Sequence, residues 1–256
     1  MAALNFIQAA HANSATLTAL PYGSNTTGGS FLVAWIGIAP GGTVGSTVPT
    51  DTLLNTWLPL GSAQSVPGFT SKFQAYYVPQ NNASGGANSV TFHNTITASS
   101  AWAVAEFTAQ RGVSPLDQIV NVSLTATGSV QNVTSSPVPL ASINEEVIVL
   151  MNDFSSSTGN PVSAGIVAGT GYTVATGANG AGGGSGCIYG PFASGNQTPT
   201  ATLTAAGGLF VGLAFSVFST STPSAGGGGN APLGAVIIDL DNGGFPIAEC
   251  QTGTDS

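Results

Sequence analysis

Ser30-Phe31-Leu32-Val33-Ala34-Trp35-Ile36-Gly37-Ile38 carries no charge and lies between two turn-forming stretches, Gly28-Gly29 and Pro40-Gly41-Gly42. A run this short, this apolar and this rich in branched and aromatic residues reads as a strand covered on both faces, as in the interior of a sandwich. Similar runs recur at Ala15 to Leu20, Phe73 to Val78, Ser89 to Thr95, Trp102 to Thr108, Ile119 to Thr127, Val147 to Asp153, Gly171 to Thr176, Thr198 to Ala205, Leu209 to Phe218 and Ala235 to Asp239. Between them stand Gly41-Gly42, Pro67-Gly68, Ser84-Gly85-Gly86, Gly159-Asn160-Pro161 and Gly182-Gly183-Gly184, residues whose backbone freedom or fixed φ suits tight reversals. Helical periodicity is scarce. The expected fold class is all-β, a two-sheet antiparallel sandwich whose strand order stays open between a jelly roll and another arrangement. No repeat of fixed period is visible, which disfavours a propeller or solenoid.

Residues 1–218 read as the sandwich domain, 219–232 as a Gly/Ser/Pro-rich connector containing Gly226 to Gly229, and 233–256 as a C-terminal arm. The arm's Gly234-Ala235-Val236-Ile237-Ile238 run is too short to bury itself, so it is expected to pack on the body or on a neighbouring subunit.

Hydrophobic residues make up 42% of the 256 residues and charged residues only 5%, against about 25% charged in an average protein. A packed core is therefore available, under a surface kept wet by Ser, Thr, Asn and Gln. Lys72 and Arg111 are the only cations against ten carboxylates, for a net charge of −8. Two isolated cations neither neutralise a phosphate backbone nor form a polybasic membrane patch, so no nucleic acid and no membrane is expected as a partner. They also leave trypsin-like proteases little to cut. Met1-Ala2-Ala3-Leu4-Asn5-Phe6-Ile7 has no cation ahead of a long apolar run and does not read as a secretory signal. A surface-type composition without an export signal is what a phage structural protein, released by lysis, is expected to show.

Chemistry-bearing residues are few. His11 and His93 are the only histidines, His11 in a stretch suited to a surface or subunit contact and His93 inside the expected strand Val90-Thr91-Phe92-His93. No metalloprotease, hydrolase, phosphate-loop or dinucleotide motif is present. Glu106, Asp117, Glu145, Glu146 and Asp153 are the carboxylates from which a glycosidase pair would be drawn. Glu106 lies in the apolar run Ala103-Val104-Ala105-Glu106-Phe107 and needs a partner, either Arg111, Lys72 or backbone N–H groups. Glu145-Glu146 reads as a solvated turn. Asp239-Leu240-Asp241-Asn242-Gly243 offers oxygen ligands spaced as in the opening of many calcium loops, without the closing Glu; the plain reading is a strand end running into a turn, so calcium at Asp239 and Asp241 is the one metal candidate and no other cofactor is expected. Cys187 and Cys250 are far apart and form either a disulfide or two thiols. Trp35, Trp57, Trp102, Tyr76 and Tyr77 supply either a sugar-stacking platform or core; for Trp35 and Trp102, in the most apolar runs, core is the better account.

Thr50-Asp51, Asn55-Thr56-Trp57, Gln74-Ala75-Tyr76-Tyr77-Val78-Pro79-Gln80-Asn81, Gly85-Gly86-Ala87-Asn88-Ser89-Val90-Thr91, Ala103-Val104-Ala105-Glu106-Phe107 and Gly169-Thr170-Gly171-Tyr172-Thr173 together resemble a jelly-roll-like sandwich module of phage structural proteins and large bacterial surface proteins. The likeness runs from Phe31 to Phe218. It implies a jelly-roll-like fold and a place in a virion or on a surface, and no reaction. It also implies one tight turn joining the Asp to the Asn-Thr-Trp, which Thr52-Leu53-Leu54 interrupts here. The expectation is a non-enzymatic bacteriophage virion protein, a capsid decoration, fibre or tail-surface subunit. Its partners would be itself, as a homo-oligomer with a trimer favoured, and other virion proteins. The alternative is an extracellular or cell-surface module binding surface glycans.

Overall fold

The computed structural model describes residues 5–78, 84–108, 116–125, 130–134, 137–140, 145–162, 165–176, 184–192, 195–204 and 208–218, all within the compact unit Met1–Thr222. The 219–232 connector, the 233–256 arm, Arg111, Asp239, Asp241 and Cys250 lie outside them.

The described residues form strands and no helix, as the sequence indicates. The first eight strands are β1 (Phe6–Ser14), β2 (Leu20–Pro21), β3 (Phe31–Ile38), β4 (Thr50–Asp51), β5 (Leu58–Ser65), β6 (Lys72–Val78), β7 (Ser89–Thr91) and β8 (Ser100–Phe107). The next eight are β9 (Leu116–Thr125), β10 (Val130–Thr134), β11 (Glu145–Ser155), β12 (Gly165–Ala168), β13 (Thr173–Val174), β14 (Ser185–Phe192), β15 (Thr200–Thr204) and β16 (Gly208–Phe218). All pair antiparallel.

Strand order exposes a duplication that the residues conceal. The first half forms an inner sheet β1-β8-β3-β6-β5 and an outer sheet β2-β7-β4; the second forms β9-β16-β11-β14-β13 and β10-β15-β12. Adding eight to each strand number of the first half gives the second. Pairing first with eighth, second with seventh and third with sixth strand is the order of a jelly roll, with the fifth strand moved to the inner sheet beside the sixth. The antiparallel sandwich read from the sequence is thus present twice, two sheets in each half. The unit repeats over more than a hundred residues with little sequence in common, so a search for a fixed short period finds nothing.

Strand alternation assigns each face a separate core. On β3, Phe31, Val33 and Trp35 point to one side and Leu32, Ala34, Ile36 and Ile38 to the other, all of them buried. The first set meets Ile148, Leu150 and Phe154 of β11 and Leu209, Val211, Leu213, Phe215 and Val217 of β16 in a central core between the two inner sheets. The second set meets Leu20, Tyr22, Trp57, Val90 and Phe92 beneath the first outer sheet. A third core, around Val147, Val149, Met151, Phe210, Ala201 and Leu203, lies beneath the second. The layers run outer, inner, inner, outer. Contacts across the middle are reciprocal: β3 meets β11, β8 meets β14 and β6 meets β16, as a pseudo-two-fold axis between the inner sheets would produce.

Polar bonds also cross that middle layer. Trp35 Nε1 donates to the Met151 carbonyl at 3.2 Å and Gln64 Nε2 to the Gly212 carbonyl at 2.7 Å. Phe6 stacks on Tyr189 at 5.9 Å, and Phe107 meets the same ring edge-on at 5.6 Å.

Some sequence readings shift. The first strand is Phe6–Ser14 rather than Ala15 to Leu20, because its partner β8 supplies a continuous ladder that weak local propensity does not reveal. β7 ends at Thr91, which leaves His93 beyond the strand and exposed. Glu145 and Glu146 are no solvated turn: they open β11 and are 1% and 3% exposed. Leu58–Ser65 and Ser185–Phe192 are strands too rich in Gly, Ser or Pro to announce themselves, and Gly165–Ala168 is too short.

Gly37 lies where β3 packs tightly against β11. A Cβ there would lie 2.8 Å from Asn152 Cγ and 3.0 Å from Phe154 Cζ. Gly37→Ala should cost about 1–3 kcal/mol by overpacking, read as an earlier midpoint in urea unfolding; an unchanged midpoint would mean that the sheets are less tightly apposed.

Candidate functional site

Among the described residues of the first half, a hydrogen-bonded cluster centred on a buried carboxylate gathers where the β2–β3, β4–β5 and β6–β7 connections meet. Asp51 ends β4 and is 7% exposed. Its Oδ1 accepts from the Leu53 N–H at 3.1 Å and the Asn55 N–H at 2.9 Å. Its Oδ2 accepts from Asn55 Nδ2 at 2.7 Å, Trp57 Nε1 at 3.0 Å and Asn88 Nδ2 at 3.2 Å. A carboxylate bonding to backbone N–H groups just ahead of it is how Asp closes a turn on itself. Here the same group also reaches the indole behind the loop and an amide across the sheet, and those charge-assisted bonds offset its removal from water.

The turn joining Asp51 to Asn55 and Trp57 is therefore intact across Thr52-Leu53-Leu54. Asn55 Oδ1 takes the Ser84 N–H at 2.8 Å, tying in the β6–β7 connection. Thr52 Oγ1 donates to the Ala87 carbonyl at 3.1 Å and to Asn88 Oδ1 at 3.3 Å, and accepts from the Ser89 N–H at 3.1 Å. At the tip, Leu54 has φ of 58° and is 90% exposed. That is left-handed backbone that a leucine adopts only when its surroundings impose it.

Glu106 forms the second buried anchor, fully enclosed on β8. Its Oε2 accepts from Gln8 Nε2 and its Oε1 from the Thr27 N–H, each at 2.6 Å. Of the partners read from the sequence, the backbone N–H is the one observed; Lys72 donates instead to Ser65 Oγ at 2.7 Å, and Arg111 is outside the described residues. Gln8 passes the restraint on, its Oε1 accepting from the Ser24 N–H at 2.8 Å and Ser24 Oγ at 2.9 Å. Tyr22 packs between the two anchors. Burial, followed by the negative charges of Glu106 and then Asp51, pushes its hydroxyl well above the ordinary tyrosine range.

All four oxygens of these two carboxylates are occupied by donors, so the arrangement holds loops in place and leaves neither acid an open face for substrate. Glu145, Glu146 and Asp153 lie apart, on β11 in the other half. Asp117 is on β9. His11 sits half-buried on β1 opposite Ala103, while His93 is on the outer sheet's side with Nε2 3.1 Å from Thr50 Oγ1. Among the described residues no group of three or more His, Cys, Asp or Glu could hold a metal. Trp35, Trp57, Trp102 and Tyr76 are core, each at most 3% exposed, and Tyr77 is half-buried against the central core. Cys187 is buried on β14, and burial pushes its thiol pKa up and out of the reactive range.

The second half is built differently at the corresponding place. Its corresponding connection, between β12 and β13, is Gly169-Thr170-Gly171-Tyr172, closed by Tyr172 N–H donating to the Gly169 carbonyl at 3.1 Å, with no carboxylate. Asn88 belonged to the motif read in the sequence, but nothing in the sequence marks Gln8, Tyr22 or Thr27, since their role depends on strand pairing across the chain. Compared with protein-family models, curated proteins and solved structures, the chain matches none.

Asp51→Ala would strand five donors, most of them buried, and should cost about 3 kcal/mol or more, measured by denaturant titration. A loss below about 1 kcal/mol would mean that the loop is held by other contacts.

Proposed function

We propose that this chain is a bacteriophage virion structural protein, a capsid decoration, fibre or tail-surface subunit, that acts by assembling with copies of itself and with other virion proteins. The observation that carries this reading is Leu54. An apolar side chain 90% exposed on a backbone conformation unfavourable to it, held there by the bonds of a buried carboxylate, costs free energy in the monomer. Such local strain persists where another requirement maintains it, and a fixed apolar knob suits insertion into a neighbouring subunit.

Two further features support the reading. Val167, 59% exposed, lies on β12, the counterpart of β4, so both halves show an apolar side chain beside the same edge of an outer sheet. Jelly rolls also recur in viral capsids, an argument by analogy of fold alone. The sequence resemblance to modules of phage structural proteins points the same way. Surface contact, rather than turnover, is the mode of action.

The test is the native mass of the full chain by light scattering behind a sizing column, with Leu54→Gly and a truncation after Ser219 alongside. The full chain should be a trimer or larger, and Leu54→Gly should shift it toward monomer. Compared at concentrations where both are monomeric, the same variant should melt no earlier than the parent, because glycine removes a backbone cost of roughly 1–2 kcal/mol that outweighs its extra entropy when unfolded. Truncation should also reduce the mass if the C-terminal arm knits subunits together. A full chain that stays monomeric at high concentration would overturn the reading.

A further inference from the structure

A trough of about 390 Å³ crosses the end of the outer sheet β2-β7-β4, within the size range of small-molecule sites. Ala87, Asn88 and Ser89, leading into the central strand β7, form its floor; Pro21 to Asn25 form one side and Thr52 the other. Every side chain lining it is neutral. Ser24, Thr52 and Ser89 contribute hydroxyls and Asn25 and Asn88 amides, groups that both donate and accept. Pro21, Gly23 and Ala87 leave apolar surface between them.

Three properties decide what such a trough takes. First, it is rigid before any ligand arrives: Asn88 is fixed by Asp51 and Thr52, Ser24 by Gln8, and the Tyr22 N–H donates to the Asn88 carbonyl at 3.0 Å. Preorganised polar groups lose little entropy on binding. Second, the Asn25 amide and the Ser89 hydroxyl make no hydrogen bond to other described residues, so they are available to a ligand. Third, buried carboxylates back its lining residues, Asp51 bonded to Asn88 and Glu106 linked through Gln8 to Ser24, and no lining side chain is a cation. At close range in a poorly solvated wall, these carboxylates repel phosphate, sulfate and carboxylate groups and favour a ligand that presents hydroxyl donors.

We propose that this trough binds a neutral oligosaccharide, its vicinal hydroxyls bridging Asn25 on one side and Ser89 on the floor. This goes beyond the assembly reading and does not depend on it: the chain binds sugar or fails to whatever its native mass.

The test uses the full chain on immobilised hexasaccharides of glucose, mannose, galactose and N-acetylglucosamine, with sialylated and sulfated glycans beside them, followed by titration calorimetry with any neutral oligosaccharide bound. At least one neutral probe should bind at up to millimolar concentration. Ser89→Trp, which fills the trough, should weaken it by more than about tenfold, and Asn25→Ala, which deletes an exposed amide and leaves the fold intact, by about fivefold, the equivalent of one hydrogen bond. Should Ser89→Trp lower the melting temperature, Asn25→Ala decides alone. No neutral probe bound, binding confined to anionic glycans, or affinity unchanged in Asn25→Ala would each overturn the proposal.

Discussion

Apolar side chains packed between two inner sheets hold the two halves of this protein together, and most of its other features follow from that layer. Phe31, Val33, Trp35, Phe73 and Phe107 from the first half interdigitate with Ile148, Leu150, Phe154, Val211, Leu213 and Phe215 from the second. Since each inner sheet also has an outer sheet on its back, β3, β8 and β11 are covered on both faces, and their buried polar residues stand toward the strand ends: Ser100 and Glu106 on β8, Glu145, Glu146, Asn152 and Asp153 on β11. Full burial of a large apolar side chain contributes about 1.5–3 kcal/mol, and the central layer gathers more buried apolar side chains than either flanking core. The near-absence of charge in the sequence is partly a consequence: a four-layer stack gives its central strands β3, β8 and β11 no solvent-facing side.

Function is pushed to the periphery by the same constraint. Where charge does enter the interior of the first half, at Asp51 and Glu106, it stands at the end of the roll and is consumed by hydrogen bonds to the connections. Those bonds turn three loops into one rigid surface. They set the left-handed Leu54 tip and fix the walls of the neighbouring trough, so the apolar knob and the polar cleft share one cause. The second half has the same strand order but only a four-residue glycine-rich connection at the corresponding place, so the halves agree in architecture and differ in what they display.

The all-β class, the antiparallel sandwich, the doubly buried strands and the core placement of Trp35 and Trp102 were legible because alternation and composition are local signals. The duplication was not, since jelly-roll pairing joins residues about a hundred positions apart and tolerates any sequence that keeps the faces apolar. Phe6-Ile7-Gln8-Ala9-Ala10-His11-Ala12 looks unremarkable alone and becomes an edge strand only because β8 offers a ladder. Glu145-Glu146 misled for a related reason: two adjacent acids after Asn144 read as a turn, and nothing local says that β11 begins there. Asp51 stood out through its spacing to Asn55 and Trp57, whereas its bond to Asn88 depends on β4 pairing with β7.

If the central layer is what makes one unit of two rolls, native-state hydrogen exchange tests it most directly. The amides of β3 and of β11 should exchange only through global unfolding, with the same opening free energy and the same denaturant dependence. Exchange of either strand at a markedly lower free energy, with the other still protected, would show that the halves open independently and would contradict the account.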